Sequence, residues 1–147
     1  MKTLVLGLGN PILSDDAVGI RIAQGLEGLV QDAVGTSEAG LSLLDYAVGY
    51  DKLVIIDSIK TKGGKPGELH KLGLADLKPG MNLSSSHGVD IATALSLGER
   101  FGYPMPRQVT IYAVEIADNT TFGEKCTPEV EERIPSIVRQ IAEEERL

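Results

Sequence analysis

The chain has 147 residues, 42% hydrophobic and 24% charged, which suits one folded domain with a substantial core and argues against disorder. Its formal net charge is −7, whereas nucleic-acid binding needs a basic face to release counterions, so nucleic acid is not an expected partner. The one cysteine, Cys126, permits neither an intramolecular disulfide nor a thiolate zinc site, and no apolar run approaches the ~20 residues of a membrane span. The apolar start after Lys2 is too short for a signal peptide and no small-residue cleavage site follows, so a cytoplasmic chain is expected.

In chain order, residues 2–8 predict a first strand running into a glycine turn. From Asp16 to Leu29 the spacing of Val18, Ile20, Ile22, Ala23 and Leu26 predicts a helix. A weaker strand is expected near 32–38, and Leu41, Leu43, Leu44 and Ala47 suggest a short helix. Residues 52–58 read as a buried central strand. Thr61 to Gly67 is a turn by composition, and Glu68–Leu72 alternates like an edge strand. A loop over 78–88 leads into a helix from about Val89 to Phe101, and Gln108–Ile116 is strongly β. The last helix should start at Thr127-Pro128-Glu129, with Thr127 as N-cap, and Pro135 should kink or divide it. Alternating strands and helices predict an α/β fold with a mostly parallel sheet, in a single domain over residues 1–147.

The turn after the first strand resembles a dinucleotide-binding turn with the wrong charge. Such a turn holds phosphate on a helix N-terminus. Here Asp15 and Asp16 occupy that end, and Ile12 stands where a third glycine belongs. Two acids repel phosphate and attract a cation. Asp57 ends the central strand and His87 ends the loop Ser84-Ser-Ser-His, just before a helix. In a parallel sheet Asp16, Asp57 and His87 fall on one edge, where open α/β sheets place their sites. Two carboxylates and an imidazole suit a divalent metal with open positions.

Each residue also has a plainer reading. Asp15 or Asp16 can serve as a helix N-cap, Asp57 can cap the following loop, and His87 can bond to Ser85 or Ser86. His70 reads as a surface residue on the edge strand, and Cys126 as a small buried hydrophobe rather than a thiol nucleophile paired with His87. Lys60, Lys62 and Lys65 read as a solvated loop, the alternative being a docking patch for an acidic partner. The G-x-S-x-G elbow, H-E-x-x-H, the EF-hand loop, the P-loop and the Asp-Thr/Ser-Gly signature are all absent.

Over nearly its whole length the sequence resembles the hydrogenase maturation proteases. The resemblance is carried by Gly7-Leu-Gly-Asn-Pro-Ile-Leu-Ser-Asp-Asp-Ala-Val-Gly19, Glu38-Ala-Gly-Leu-Ser-Leu-Leu-Asp45 and Leu53-Val-Ile-Ile-Asp57. Ser85-Ser-His87, Tyr112-Ala-Val-Glu-Ile116 and Cys126-Thr-Pro-Glu-Val130 continue it. It departs where the family often has His-Asp/Gln-Leu-Gly and this chain has His87-Gly88-Val89-Asp90. The resemblance implies a monomeric three-layer α/β/α sandwich, phosphorylase/hydrolase-like, and an aspartic-type endopeptidase. Its expected activity is removal of a C-terminal peptide from the large-subunit precursor of a NiFe hydrogenase. It places the metal-site and catalytic residues on Asp16, Asp57 and His87. Nickel already inserted in the precursor would be the recognition signal, other divalent metals could substitute, and no organic cofactor or membrane is expected. A non-catalytic metal-dependent assembly factor, an inactive paralogue and a nucleotide-binding module are the alternatives. Peptidyl-tRNA hydrolase shares Gly-Leu-Gly-Asn-Pro but needs an early histidine and a basic surface, and this chain has neither.

Overall fold

Apolar residues alternate between the two faces of the central strands, and that alternation builds the core. In β1 (Thr3–Leu8) and β3 (Lys52–Ile59), the side chains of Leu4, Leu6, Leu8, Leu53 and Ile55 point one way. Val5, Val54 and Ile56 point the other. The computed structural model describes residues 1–38, 40–78, 81–83 and 88–147, with residues 40 and 88–90 as backbone only.

Among the described residues the remaining elements are α1 (Val18–Leu26), β2 (Asp32–Thr36), α2 (Leu43–Ala47), β4 (Leu69–Leu72), α3 (Gly88–Arg100), β5 (Gln108–Glu115) and α4 (Pro128–Glu145). The sheet order is β2-β1-β3-β5-β4. Strands β2, β1, β3 and β5 are parallel, and β4 is an antiparallel edge on β5. Helices α1 and α4 cover one face through Val18, Ile22, Leu26, Val130, Ile137 and Ile141. Helices α2 and α3 cover the other through Leu43, Ala47, Ile91 and Leu95. The α/β fold with a mostly parallel sheet expected from the alternating elements is therefore present, arranged as the three-layer α/β/α sandwich that the resemblance implies.

Two sequence-based expectations change. The helix expected from Asp16 begins as a 3-10 turn over Ser14–Ala17, and α1 proper starts at Val18. Pro135 does not divide α4, which runs unbroken from Pro128 to Glu145. Proline removes one backbone donor and frees the carbonyl one turn earlier. Pro135 lies on the exposed side of α4, where water can satisfy that carbonyl.

Strand β1 leads to β2 on one side and has β3 on the other, so the carboxyl ends of β1 and β3 flank a topological switch point. Close packing of α1 over this point requires Gly19, because a Cβ there would lie 2.3 Å from the carbonyl oxygen of Ile56 and 2.6 Å from that of Leu8. Gly19 thus provides the close helix–strand approach that the missing third glycine of the turn would otherwise supply.

Candidate functional site

The chain leaves β1 at Gly9 with φ +148°, a conformation open to glycine and strained for other residues. It then folds as an Asx turn, in which the Ile12 amide donates to Asn10 Oδ1 at 3.1 Å. Ser14 follows with φ +42°, the left-handed region that non-glycine residues seldom occupy. This strained corner delivers Asp15 and Asp16 to the carboxyl edge of the sheet, and each side chain goes to a different environment.

Asp15 is fully buried, contrary to the expectation that both acids face a ligand at the helix start. Its Oδ2 accepts the amides of Ala117 and Asp118, each at 3.0 Å, and its Oδ1 accepts the Thr127 amide at 2.6 Å. The Thr127 hydroxyl donates to the same carboxylate, 2.8 Å from Oδ2. Asp15 thereby ties the turn after β1 to the exit of β5 and the start of α4. Thr127 does hold the N-cap position of α4, but its hydroxyl is spent on Asp15 and makes no cap bond to the helix. Neither Asp15 nor Asp16 caps α1 through its side chain, so the N-cap reading of these acids is corrected as well.

Asp16 is 8% exposed and turns toward the end of β3. Its Oδ2 accepts the Asn10 amide at 2.9 Å. Burial raises its pKa above the ordinary carboxylate range, opposed by the Asn10 amide and by a side-chain hydrogen bond with Ser58. Asp57, fully buried in β3, precedes Ser58, and its Oδ1 accepts the Ser58 amide at 2.8 Å. The alternation of β3 puts Ser58 on the α1/α4 face with Ile56, and Asp57 on the α2/α3 face with Ile55. The structure therefore brings Asp16 against the residue that follows Asp57, at the switch point between β1 and β3.

His87, together with Ser84, Ser85 and Ser86, lies outside the described residues, and α3 begins directly after it at Gly88. Among the described residues no three acidic, histidine or cysteine side chains are grouped to hold a metal ion. Two of the three expected ligands are thus placed on one edge.

Other residues singled out by the sequence have structural roles. Cys126 is buried in the α1/α4 core, and burial together with nearby Asp15 pushes its thiol up to about 11, the opposite direction to the one that activates a thiol. His70 lies on the edge strand as expected with its side chain 33% exposed, and its Nε2 lies 3.3 Å from Glu115 Oε1. Glu115 itself, 1% exposed at the end of β5, accepts the Thr61 amide at 2.7 Å and the Thr61 hydroxyl at 2.6 Å. It anchors the loop on which Lys60, Lys62 and Lys65 are exposed. The sequence offered one hint of this anchor, a lone carboxylate directly after the apolar run Ile111-Tyr-Ala-Val114. Asp15 offered less, because an acid beside an acid at a helix start reads as a pair with one role.

A family model described as hydrogenase maturation protease (HycI) matches residues 20–144. The hydrogenase 2 maturation protease of Escherichia coli K12 is 33% identical over 96% of this chain and 88% of its own length. The solved hydrogenase maturating endopeptidase HybD from E. coli superposes with a TM-score of 0.77 at 30% identity, covering 99% of this chain and 93% of that one. A NiFe hydrogenase maturation protease, HybD from Thermococcus kodakarensis, gives a TM-score of 0.76 at 25% identity, covering 98% of each chain. The family match takes in Asp57 and His87 and starts four residues after Asp16.

Proposed function

We propose a function on a premise that these comparisons show: the chain belongs to the hydrogenase maturation protease family. It acts as an aspartic-type endopeptidase on the large-subunit precursor of a NiFe hydrogenase. It removes the C-terminal peptide after nickel insertion, using the precursor's nickel as its recognition signal. It works in the cytoplasm and as a monomer.

One observation carries this reading. Asp16 is a buried carboxylate at the switch point, held by Asn10 and Ser58, whose desolvation leaves its anion short of compensation. A cation arriving with the substrate supplies that compensation. Asp16, Asp57 and His87 would hold it, and oxygen plus imidazole donors fit a divalent ion such as nickel. Nickel held by these residues would polarise an adjacent peptide carbonyl or, alternatively, only position the scissile bond. In the alternative in which the metal only positions the peptide, Asp16 would serve as general base and take the proton of the attacking water. A precursor without nickel lacks the anchor and is left uncut, so proteolysis waits for metal insertion.

Following precursor mass tests this directly. The nickel-loaded form should lose its C-terminal peptide and the metal-free form should not. Equal cleavage of both would remove nickel as the signal. Asp16→Asn, Asp57→Asn and His87→Ala should each lower the rate by about a hundredfold or more, the scale of lost acid–base catalysis. Full activity in any of them takes that residue out of the site.

A further inference from the structure

We infer that the groove between α2 and the end of α3 is a second docking surface for the precursor, taking an apolar helix face that carries a lysine or arginine; this deepens the function proposed above and rests on it. The groove has a volume of about 550 Å³ and is lined by Leu41, Leu44, Val48, Leu97, Phe101 and Tyr103, with Asp45 as its one charged group. Leu41, Phe101 and Tyr103 are 62%, 72% and 53% exposed. Single exposed apolar side chains are ordinary. Here four of the eight large apolar side chains exposed among the described residues line one concavity, and such a concentration marks an interaction site.

The groove is built before anything fills it. Helix α3 ends in a Schellman motif: the amide of Gly102, at φ +83°, donates to the Glu99 carbonyl and the Tyr103 amide to the Gly98 carbonyl, both at 3.0 Å. In that motif the residue at the place of Tyr103 commonly packs on a side chain at the place of Gly98 or Leu97. Gly98 offers none, and Leu44 and Met105 close over it, so Tyr103 stays half exposed beside Leu97. The Gly49 amide donates to the Pro104 carbonyl at 2.8 Å, which ties the end of α2 to the chain after α3 and fixes the width of the groove. A prearranged surface of this kind costs little ordering when it is covered.

The lining states the chemistry of the occupant. Six apolar side chains take an apolar face, and a groove between two helices is the form that seats an amphipathic helix. Asp45 is exposed, and among the described residues no lysine or arginine pairs with it, so a cation on the occupant completes it. A second copy of this chain fits worse. Its net charge of −7 repels it, and a two-fold contact through the groove buries two Asp45 carboxylates where the lining supplies no cation. The precursor fits because every loaded precursor presents the same nickel ion, so telling one from another needs contacts away from the metal. Gly49 and Pro104 shortly precede β3 and β5, which sets the Phe101–Tyr103 end of the groove toward the amino end of the sheet, whereas Asp16 and Asp57 lie at its carboxyl end. The two acids would read the metal and the groove would read the protein that carries it.

Steady-state cleavage of nickel-loaded precursor by Phe101→Ser, by the double variant Leu41→Ser with Phe101→Ser, and by Asp45→Lys tests the groove. Burying a side chain of this size is worth about tenfold or more in affinity, and a like charge set against the occupant's cation costs at least as much. Phe101→Ser and Asp45→Lys should therefore each raise KM by about tenfold, the double variant should raise it further, and kcat should stay within about twofold. Phe101→Leu should recover most of the loss. All three positions are exposed, so melting temperatures should hold within about 3 °C. A double variant that cleaves with the wild-type KM overturns the groove and leaves the function standing. An unchanged KM in Asp45→Lys overturns the cationic helix as occupant. Wild-type protein that cleaves no nickel-loaded precursor overturns the function and the docking surface with it. Self-association of the wild type in sedimentation, lost in the double variant, would assign the groove to a second copy and overturn the precursor as its occupant.

Discussion

Asp15 and Asp16 are the same residue type one position apart, and their surroundings give them opposite duties. Asp15 faces only donors: three backbone amides and the Thr127 hydroxyl. Replacing it with asparagine would turn an amide NH2 toward buried N–H groups and leave at least one of them unsatisfied. Asp15→Asn should lower unfolding free energy by about 3 kcal/mol, read as a denaturant midpoint shift at constant m. Asp16 is the converse. Burial raises its pKa, so its charged form destabilises the fold at neutral pH, while an asparagine oxygen can still accept the Asn10 amide. Asp16→Asn should abolish cleavage yet melt no lower than wild type, as expected where function is kept at a cost in stability. A marked loss of stability in Asp16→Asn would show that the carboxylate is structural. The identity and position of both acids were visible in the sequence. Which one turns to Ser58 of β3 was not, because that depends on the strained φ of Ser14 and on amides more than a hundred residues away.

At the scale of elements, periodicity located every strand and helix of the described core, because burial on both sheet faces writes long apolar runs and amphipathic stripes into the chain. What it misjudged were local chemistries settled by tertiary contacts: the 3-10 entry to α1, the diverted hydroxyl of Thr127 and the tolerated Pro135. The far end of α4 is another such case. Glu145, with a side chain 2% exposed, pairs with Lys52 of β3 and accepts the Tyr112 hydroxyl of β5, fastening the helix to the amino edge of the sheet. Burial raises its pKa, but the Lys52 and Tyr112 contacts outweigh burial and the net shift is downward. A carboxylate depressed in the folded state stabilises fully above its unfolded pKa, about 4.3, and loses that contribution as pH falls through the lower folded value. Glu145→Gln should therefore cost about 2 kcal/mol near neutral pH. The gap between the two unfolding curves should stay constant down to about pH 5 and close below it. A gap that persists in strong acid would remove the ion pair as its source.

Across the whole molecule these observations divide the sheet into two ends with separate work. The carboxyl end carries the switch point, the buried Asp16 and Asp57, the Asp15 clamp and the Glu115-anchored lysine loop. The amino end carries the Lys52–Glu145 pair and the Asp51 carboxylate that accepts the Lys2 amide. Lys52 and Asp57 lie on the same strand, and five residues of rise separate them by about 16 Å. Changes farther apart than about 10 Å with no shared partner add. The stability lost in Glu145→Gln should thus be the same, within about 0.5 kcal/mol, in wild-type and Asp16→Asn backgrounds. Cleavage by Glu145→Gln well below its melting temperature should stay within about twofold of wild type, because the α4 anchor contacts Lys52 and Tyr112 and not Asp16 or Asp57. On this division the carboxyl end, proposed above as the catalytic one, holds a desolvated acid and a strained turn while the opposite end supplies stability. A coupling energy well above that limit would mean that β3 transmits strain from one end to the other.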